Sequence, residues 1–309
     1  MIDRLMEQIK ACKNPTVVGL DPRLNMIPDA VKEEAYDQYG KTPEGAAEAF
    51  YLFNKAILDA VYDLIPAVKP QVAMYEMYGV PGIAAYIRTI EYARSKGLVV
   101  IGDVKRSDIA STAQAYADGH IGRVSVEEED YEVYQEDFVT LNPYLGVESI
   151  EPYFENMKRY DKGIFVLVKT SNPGSGQIQD LAAGPGQKPL YEIVGELAQQ
   201  WGEPFRGKYG YSEVGAVVGA THPQQGSRLR QLLPHTFFLV PGYGAQGATA
   251  QDLRGCFDSE GQGAIVNSSR GIIAAWKNSK YAGAFTKGNW AQASRQAVID
   301  MREDLNSVL

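Results

Sequence analysis

The chain has 309 residues, 45% of them hydrophobic and 22% charged, which fits a water-exposed globular protein with one large α/β core or two small ones. Its formal net charge of -8 argues against nonspecific nucleic-acid binding, which needs a basic surface, but not against a small anion in a locally basic pocket. Two distant cysteines, Cys12 and Cys256, form no close metal motif, and no run approaches the ~18 apolar residues of a membrane span, so a soluble cytoplasmic enzyme with reduced thiols is expected.

The N-terminal MIDRLMEQIKACKN reads as an amphipathic helix of mixed charge rather than a signal peptide. Thr16–Asp21 (TVVGLD) is a short apolar strand ending in an acid, and residues 22–45 are polar and turn-rich, an excursion before a helix at Pro43–Asp63. Ile65–Lys69 is the second predicted strand, and a helix at Val80–Lys96 stops at Gly97. The third strand, Leu98–Ile101, opens the stretch GLVVIGDVKRSDIASTAQAYA, in which strand alternation points Asp103 and Lys105 the same way as Ile101. Asp108 lies past the strand end, after Ser107, a candidate cap for the helix Ile109–Ala117.

Residues 118–136, with the acidic run Glu127–Asp130, read as a solvated insertion. Phe138–Leu141 is the fourth strand, followed by a helix near Val147–Lys158, and Gly163–Lys169 is the fifth. The Gly-, Pro- and Gln-rich residues 174–189 look like a mobile loop. Helix Leu190–Trp201, strand Val214–Val218, a short helix around Gln225–Leu233 and strand Thr236–Val240 follow. The eighth strand is Ala264–Asn267, and an amphipathic helix at Trp290–Asn306 ends the chain. Eight alternating strand and helix units predict a single (β/α)8 barrel spanning residues 1–309, with insertions near 22–45, 118–136 and 174–189. An open doubly wound sheet is the alternative, weakened because no G-x-G-x-x-G follows the first strand.

In such a barrel the strand ends carry the chemistry. Those ends supply Asp21, Lys69, Asp103, Lys105, Ser171, Gln246 and Arg270. Two lysines and two acids (Lys69, Lys105, Asp103, Asp108) form a poor stabilising network if merely buried, which favours a functional reading. PGYGAQG (Pro241–Gly247) and SSRG (Ser268–Gly271) fall after strands seven and eight, the frequent phosphate site of this fold, where Gln246 and Arg270 can donate to an anion. His120, His222 and His235 share no spacing and read as surface or loop histidines, and no metal is assigned.

The segments VVGLDPR (Val17–Arg23), AVKPQ (Ala67–Gln71), GDVKRSDIASTA (Gly102–Ala113), KTSNPG (Lys169–Gly174), VVGAT (Val217–Thr221) and PGYGAQG together resemble the orotidine 5'-phosphate decarboxylases, in particular the longer bacterial type. The resemblance runs over nearly the whole chain. It implies a (β/α)8 homodimer with active sites at the subunit interface and with neither metal nor organic cofactor. It also implies a reaction, the removal of CO2 from orotidine 5'-phosphate to give UMP, the last step of de novo pyrimidine synthesis. By motif, Lys69, Asp103, Lys105 and Asp108 look like the alternating charged network. Asp108, Ile109 and Thr112 would reach into the partner's site. Asp21 and Lys69 would bind ribose hydroxyls and Ser171 the pyrimidine amide edge. Gln246 and Arg270 would hold the phosphate, with Pro241 also among the substrate-binding residues.

The physics agrees with that chemistry. Loss of CO2 leaves a carbanion at C6, which needs a nearby cation and then a proton, and Lys105 can supply both. Phosphate binding far from C6 could drive closure of the loop after Gln177 or the one at Gly242. Two other classes are weighed against this reading. One is a metal-assisted sugar-phosphate lyase on the same barrel, distinguished by loss of activity in EDTA. The other is a non-catalytic nucleotide binder, which has no need of the Asp103 and Lys105 pair.

Overall fold

The computed structural model describes residues 1–244, 247–281, 285 and 288–309. Eight parallel strands close into one barrel: β1 (Thr16–Leu20), β2 (Ala67–Pro70), β3 (Val99–Arg106), β4 (Phe138–Leu141), β5 (Gly163–Lys169), β6 (Ser212–Val218), β7 (Thr236–Pro241) and β8 (Ala264–Ser268). Each strand pairs with its neighbour in sequence, and β1 pairs with β8 from Thr16–Val266 to Val18–Ser268, which closes the ring. The expected barrel is therefore present, and the open sheet is excluded.

Strand alternation divides the apolar residues into two cores. Inward-facing Val17, Ala67, Val99, Ile101, Phe138, Phe165, Phe237 and Ile265 fill the barrel, and Ile2, Leu5 and Met6 of helix α1 (Ile2–Cys12) pack against them. Outward-facing residues such as Val18, Val68, Val100 and Val139 pack against the surrounding helices. These include α2 (Asp29–Tyr39), α3 (Pro43–Val61), α4 (Gly79–Ser95) and α5 (Ala110–His120). Buried Phe50, Phe53 and Ile57 hold α3 to the barrel, and Phe53 stacks on Trp290 at 5.1 Å. Filled from one end, the barrel leaves space for a site at the other.

Several local expectations are corrected. Residues 22–45 contain α2, whose one buried residue is Ala35, so its apolar stripe is too thin to read as helical. Strand β3 runs on to Arg106 instead of ending at Ile101, and its register with β4 shifts between Gly102 and Arg106. Lys105 lies within this irregularity at φ 46° and so does not follow simple alternation. Ser107 does not cap the helix; the N-cap is Ile109, without a side-chain cap bond. The segment expected as a helix near Val147–Lys158 begins as 3-10 turns and becomes α-helical only at Phe154–Tyr160. Residues 118–136 include a hairpin, Val124–Val126 with Glu129–Tyr131, and 174–189 hold a four-residue helix, Gly176–Gln179, and a second small hairpin.

His120 is the other correction: it is buried, not superficial. Its ring stacks on Tyr134 with centroids 4.7 Å apart, and Nδ1 lies 3.1 Å from the buried Glu136 carboxylate. Tyr86 also donates to Glu136, at 2.7 Å. Glu136 lies flat against β3, where a Cβ on Gly102 would sit 2.6 Å from its Oε1. Only glycine fits there, directly before Asp103.

Candidate active site

Along five of the strands the inward positions change character toward the C-terminal end. Ala67 is followed by Lys69, Ile101 by Asp103, Phe138 by Thr140, Leu239 by Pro241 and Ile265 by Asn267. The polar members of these pairs line a cavity of about 730 Å³ together with Asp21, Lys105, Ser171 and Arg270. Seven sequence-predicted residues thus meet in one space: Asp21, Lys69, Asp103, Lys105, Ser171, Pro241 and Arg270.

Asp103 is the centre of this layer. Lys69 Nζ donates to its Oδ2 at 2.6 Å, and Lys105 Nζ donates to Oδ1 from the other side. Burial would raise the Asp103 pKa, but the two ammonium groups overcome it and hold the carboxyl well below the usual range. Burial likewise opposes the charge on Lys69, yet Asp103 and Asp21 raise its pKa above the ordinary lysine value. The two lysines differ in access, because the Lys69 side chain is 5% exposed and that of Lys105 is 46% exposed. Lys69 is a fixed internal cation, whereas Lys105 faces the open cavity.

The irregularity in β3 is stabilised by Thr140. Its hydroxyl oxygen accepts from the backbone N–H groups of Val104 and Lys105, each at 3.0 Å, and its proton points to Asp103 Oδ1 at 3.2 Å. One side chain on β4 thereby sets both the backbone of the lysine and the carboxylate of the acid. Thr140 was missed in the sequence, where the only signal was a hydroxyl at an inward position of FVTL.

The rim is built by close approaches. Gly219 lets the end of β6 pass the Ser171 backbone, since a Cβ there would lie 2.7 Å from it, and Thr221 Oγ1 donates to the Ser171 carbonyl at 3.0 Å. Next to Ser171, the Thr170 N–H donates to Gln179 Oε1 at 3.0 Å, and Gln179 Nε2 donates to Thr170 Oγ1 at 2.8 Å. Gln179, Arg23 and Asn267 also line the cavity and were assigned no role from sequence. Asp21 Oδ1 is buried without a hydrogen-bond partner among the described residues, an acceptor left for a ligand hydroxyl.

Two groups of expected residues remain. Gln246 lies outside the described residues. Asp108, Ile109 and Thr112 do not line the pocket of their own chain; Asp108 accepts from the Ile109 N–H at 2.8 Å, and Ile109 and Thr112 are exposed.

Barrel and pocket together define a (β/α)8 protein whose cavity holds two lysines ion-paired to one buried aspartate. The chain belongs to the orotidine 5'-phosphate decarboxylase / HUMPS family, whose model matches residues 14–285. It is 45% identical over 307 residues to the orotidine 5'-phosphate decarboxylase of Petrotoga mobilis, covering 99% of this chain and 98% of that one. Among solved structures it is similar to Leishmania donovani OMP decarboxylase, at 29% identity, TM-score 0.73 and coverage of 99% and 98%. It also matches Leishmania donovani UMP synthase at 31% identity and TM-score 0.74, with 100% of this chain spanning 56% of that longer one.

Proposed function

We propose that this pocket converts orotidine 5'-phosphate to UMP and CO2, the closing step of de novo pyrimidine synthesis, with Lys105 as the proton donor. The chain is a carboxy-lyase of the family it belongs to. The observation that carries the mechanism is Asp103 held ionised between Lys69 and Lys105. When the bond from C6 to the carboxyl group breaks, its electron pair stays on C6 and CO2 departs. An ammonium already fixed beside that carbon stabilises the developing charge without reorganisation. Lys105 then gives a proton to C6, forming UMP, and the neutral amine regains a proton from water. Asp103 keeps Lys105 directed and, as a fixed anion, disfavours the substrate carboxylate more than the neutral CO2 that replaces it.

The other roles are those the family resemblance implies. Asp21 and Lys69 bind ribose hydroxyls, Ser171 meets the amide edge of the pyrimidine, and Pro241 packs against the substrate. Arg270, with Gln246, holds the phosphate. The reaction uses neither metal nor organic cofactor, because two ammonium groups already supply the positive charge that the carbanion requires.

The catalytic unit is a homodimer in which Asp108, Ile109 and Thr112 serve the partner's site. Supporting this are the exposed apolar residues on the segments that follow three adjacent strands: Met77 and Val80 after β2, Ile109 after β3, Tyr144 and Leu145 after β4. Asp108 directly precedes Ile109 in the chain. Each subunit is a single barrel domain over residues 1–309, and the enzyme is cytoplasmic. Two free thiols agree with that, and among the described residues no helix is long and apolar enough to cross a membrane.

The test is CO2 release from orotidine 5'-phosphate in EDTA. Wild type turns over, whereas Lys105→Ala loses at least ~10⁴-fold in kcat while still binding UMP. Appreciable turnover by Lys105→Ala would remove it as proton donor, and wild-type activity lost in EDTA would favour the metal-assisted lyase.

A further inference from the structure

We propose that a second phosphate subsite adjoins the nucleotide pocket and admits a nucleoside diphosphate, uridine diphosphate being the simplest. The inference rests on the reading that Arg270 holds the 5'-phosphate. Beyond Arg270 a second cleft of about 670 Å³ opens, and it shares Arg23, Met26 and Arg270 with the nucleotide pocket. Its remaining walls include Asn25, Lys277 and Asn278. Among the described residues, no aspartate or glutamate lines it. On a chain of net charge -8, three cations around an acid-free cleft make a local inversion of sign, which favours an anion.

The cleft is also built in advance. The Trp276 indole N–H donates to the Met26 carbonyl at 3.0 Å, and the Lys277 ammonium donates to the carbonyl of Asn25. These bonds tie the segment after β1 to the segment after β8, which begins with Arg270. A β-phosphate is one bridging oxygen from the α-phosphate, so a diphosphate seated at Arg270 extends into this space. The decarboxylation itself requires nothing from Lys277. The subsite would make the enzyme sensitive to nucleotides formed from its product by phosphoryl transfer.

The test compares UMP and UDP as inhibitors of decarboxylation, in EDTA and low salt, for wild type, Lys277→Ala and Lys277→Glu. Both nucleotides should compete with substrate, with UDP about threefold to tenfold tighter, as expected for added contacts to exposed cations. Lys277→Ala should bring UDP to within about twofold of UMP while leaving UMP unchanged, and Lys277→Glu should make UDP the weaker inhibitor. UDP no tighter than UMP in wild type, or tighter to the same degree in both variants, overturns the subsite alone. Failure of UMP itself to compete would overturn the phosphate assignment at Arg270, and the subsite with it.

Discussion

Thr140 holds more of the site than a single hydroxyl usually does. It accepts two backbone N–H groups from the irregular part of β3 and orients Asp103. Replacing it with valine leaves the buried Val104 donor unpaired, at about 1–3 kcal/mol, and the half-buried Lys105 donor with it. Thr140→Val should therefore lower kcat by about 100-fold through misplacement of Lys105, with a smaller effect on KM, while Thr140→Ser stays close to wild type. Steady-state kinetics on the two variants decide it, and a loss in Thr140→Ser with none in Thr140→Val would show that the methyl, not the hydroxyl, matters.

The ion pair beneath it makes a second residue-scale prediction. The Asp103 pKa is depressed from the ordinary carboxylate value and that of Lys69 is raised. A depressed acid contributes stability that is present above its unfolded pKa and lost as pH falls through the folded one. A raised lysine contributes stability present below its unfolded pKa and lost as pH rises through the folded one. Relative to an Asp103→Asn, Lys69→Met double variant, wild-type stability should be level between about pH 5 and 10 and decline below about pH 4. Denaturant titrations across that range measure it; a difference that stays level to about pH 2 would mean the pair is not ionised as described.

At the scale of elements, the barrel strands were legible because most contain a short apolar run that gives way to Pro, Gly or a polar or charged residue. What was not legible has physical causes. Helix α2 exposes most of its surface and so carries no strong period. The turn in β3 depends on Thr140, 35 residues away from Lys105, and no local pattern encodes it. His120 looked like a loop residue because its burial is created by Glu136, Tyr134 and Tyr86 from other elements.

The segment 174–189 reads as mobile from its composition, yet it is fastened to the barrel. Lys169 at the end of β5 is fully buried, and its ammonium donates to Asp180 of this segment at 2.7 Å; Gln225 also donates to Asp180, at 3.0 Å. Detaching the segment would leave a buried cation without that partner, a costly arrangement. The same segment carries Gln179 into the pocket wall. Asp180→Asn should raise KM about tenfold, equivalent to ~1.4 kcal/mol, and expose Leu181–Gln187 to faster limited proteolysis. Unchanged KM and cleavage would make the bridge incidental.

At the scale of the whole molecule, the chain gathers three charged groups in its pocket and leaves Asp108 outside it. Strand geometry brings Lys69, Asp103 and Lys105 together in the pocket, whereas Asp108 begins a new direction at the start of α5, outside its own pocket. Strand alternation already left Asp108 past the end of β3; the resemblance in sequence adds the expectation that it serves a second chain, about which composition and periodicity carry no information. If Asp108 completes the partner's site, a mixture of Lys105→Ala and Asp108→Ala subunits must regain activity. Each hybrid dimer then has one site lacking both groups and one site with neither substitution. Lys105 is suited to this design because its half-exposed side chain can be removed without emptying the core. With equal amounts and random exchange, half of the dimers are hybrid and half of their sites are intact, so activity should approach about a quarter of wild type. The rise should follow the kinetics of subunit exchange, measured by mass spectrometry of differently labelled chains. Complete exchange with no recovery would mean that Asp108 acts in its own subunit, and that α5 must move to bring it there.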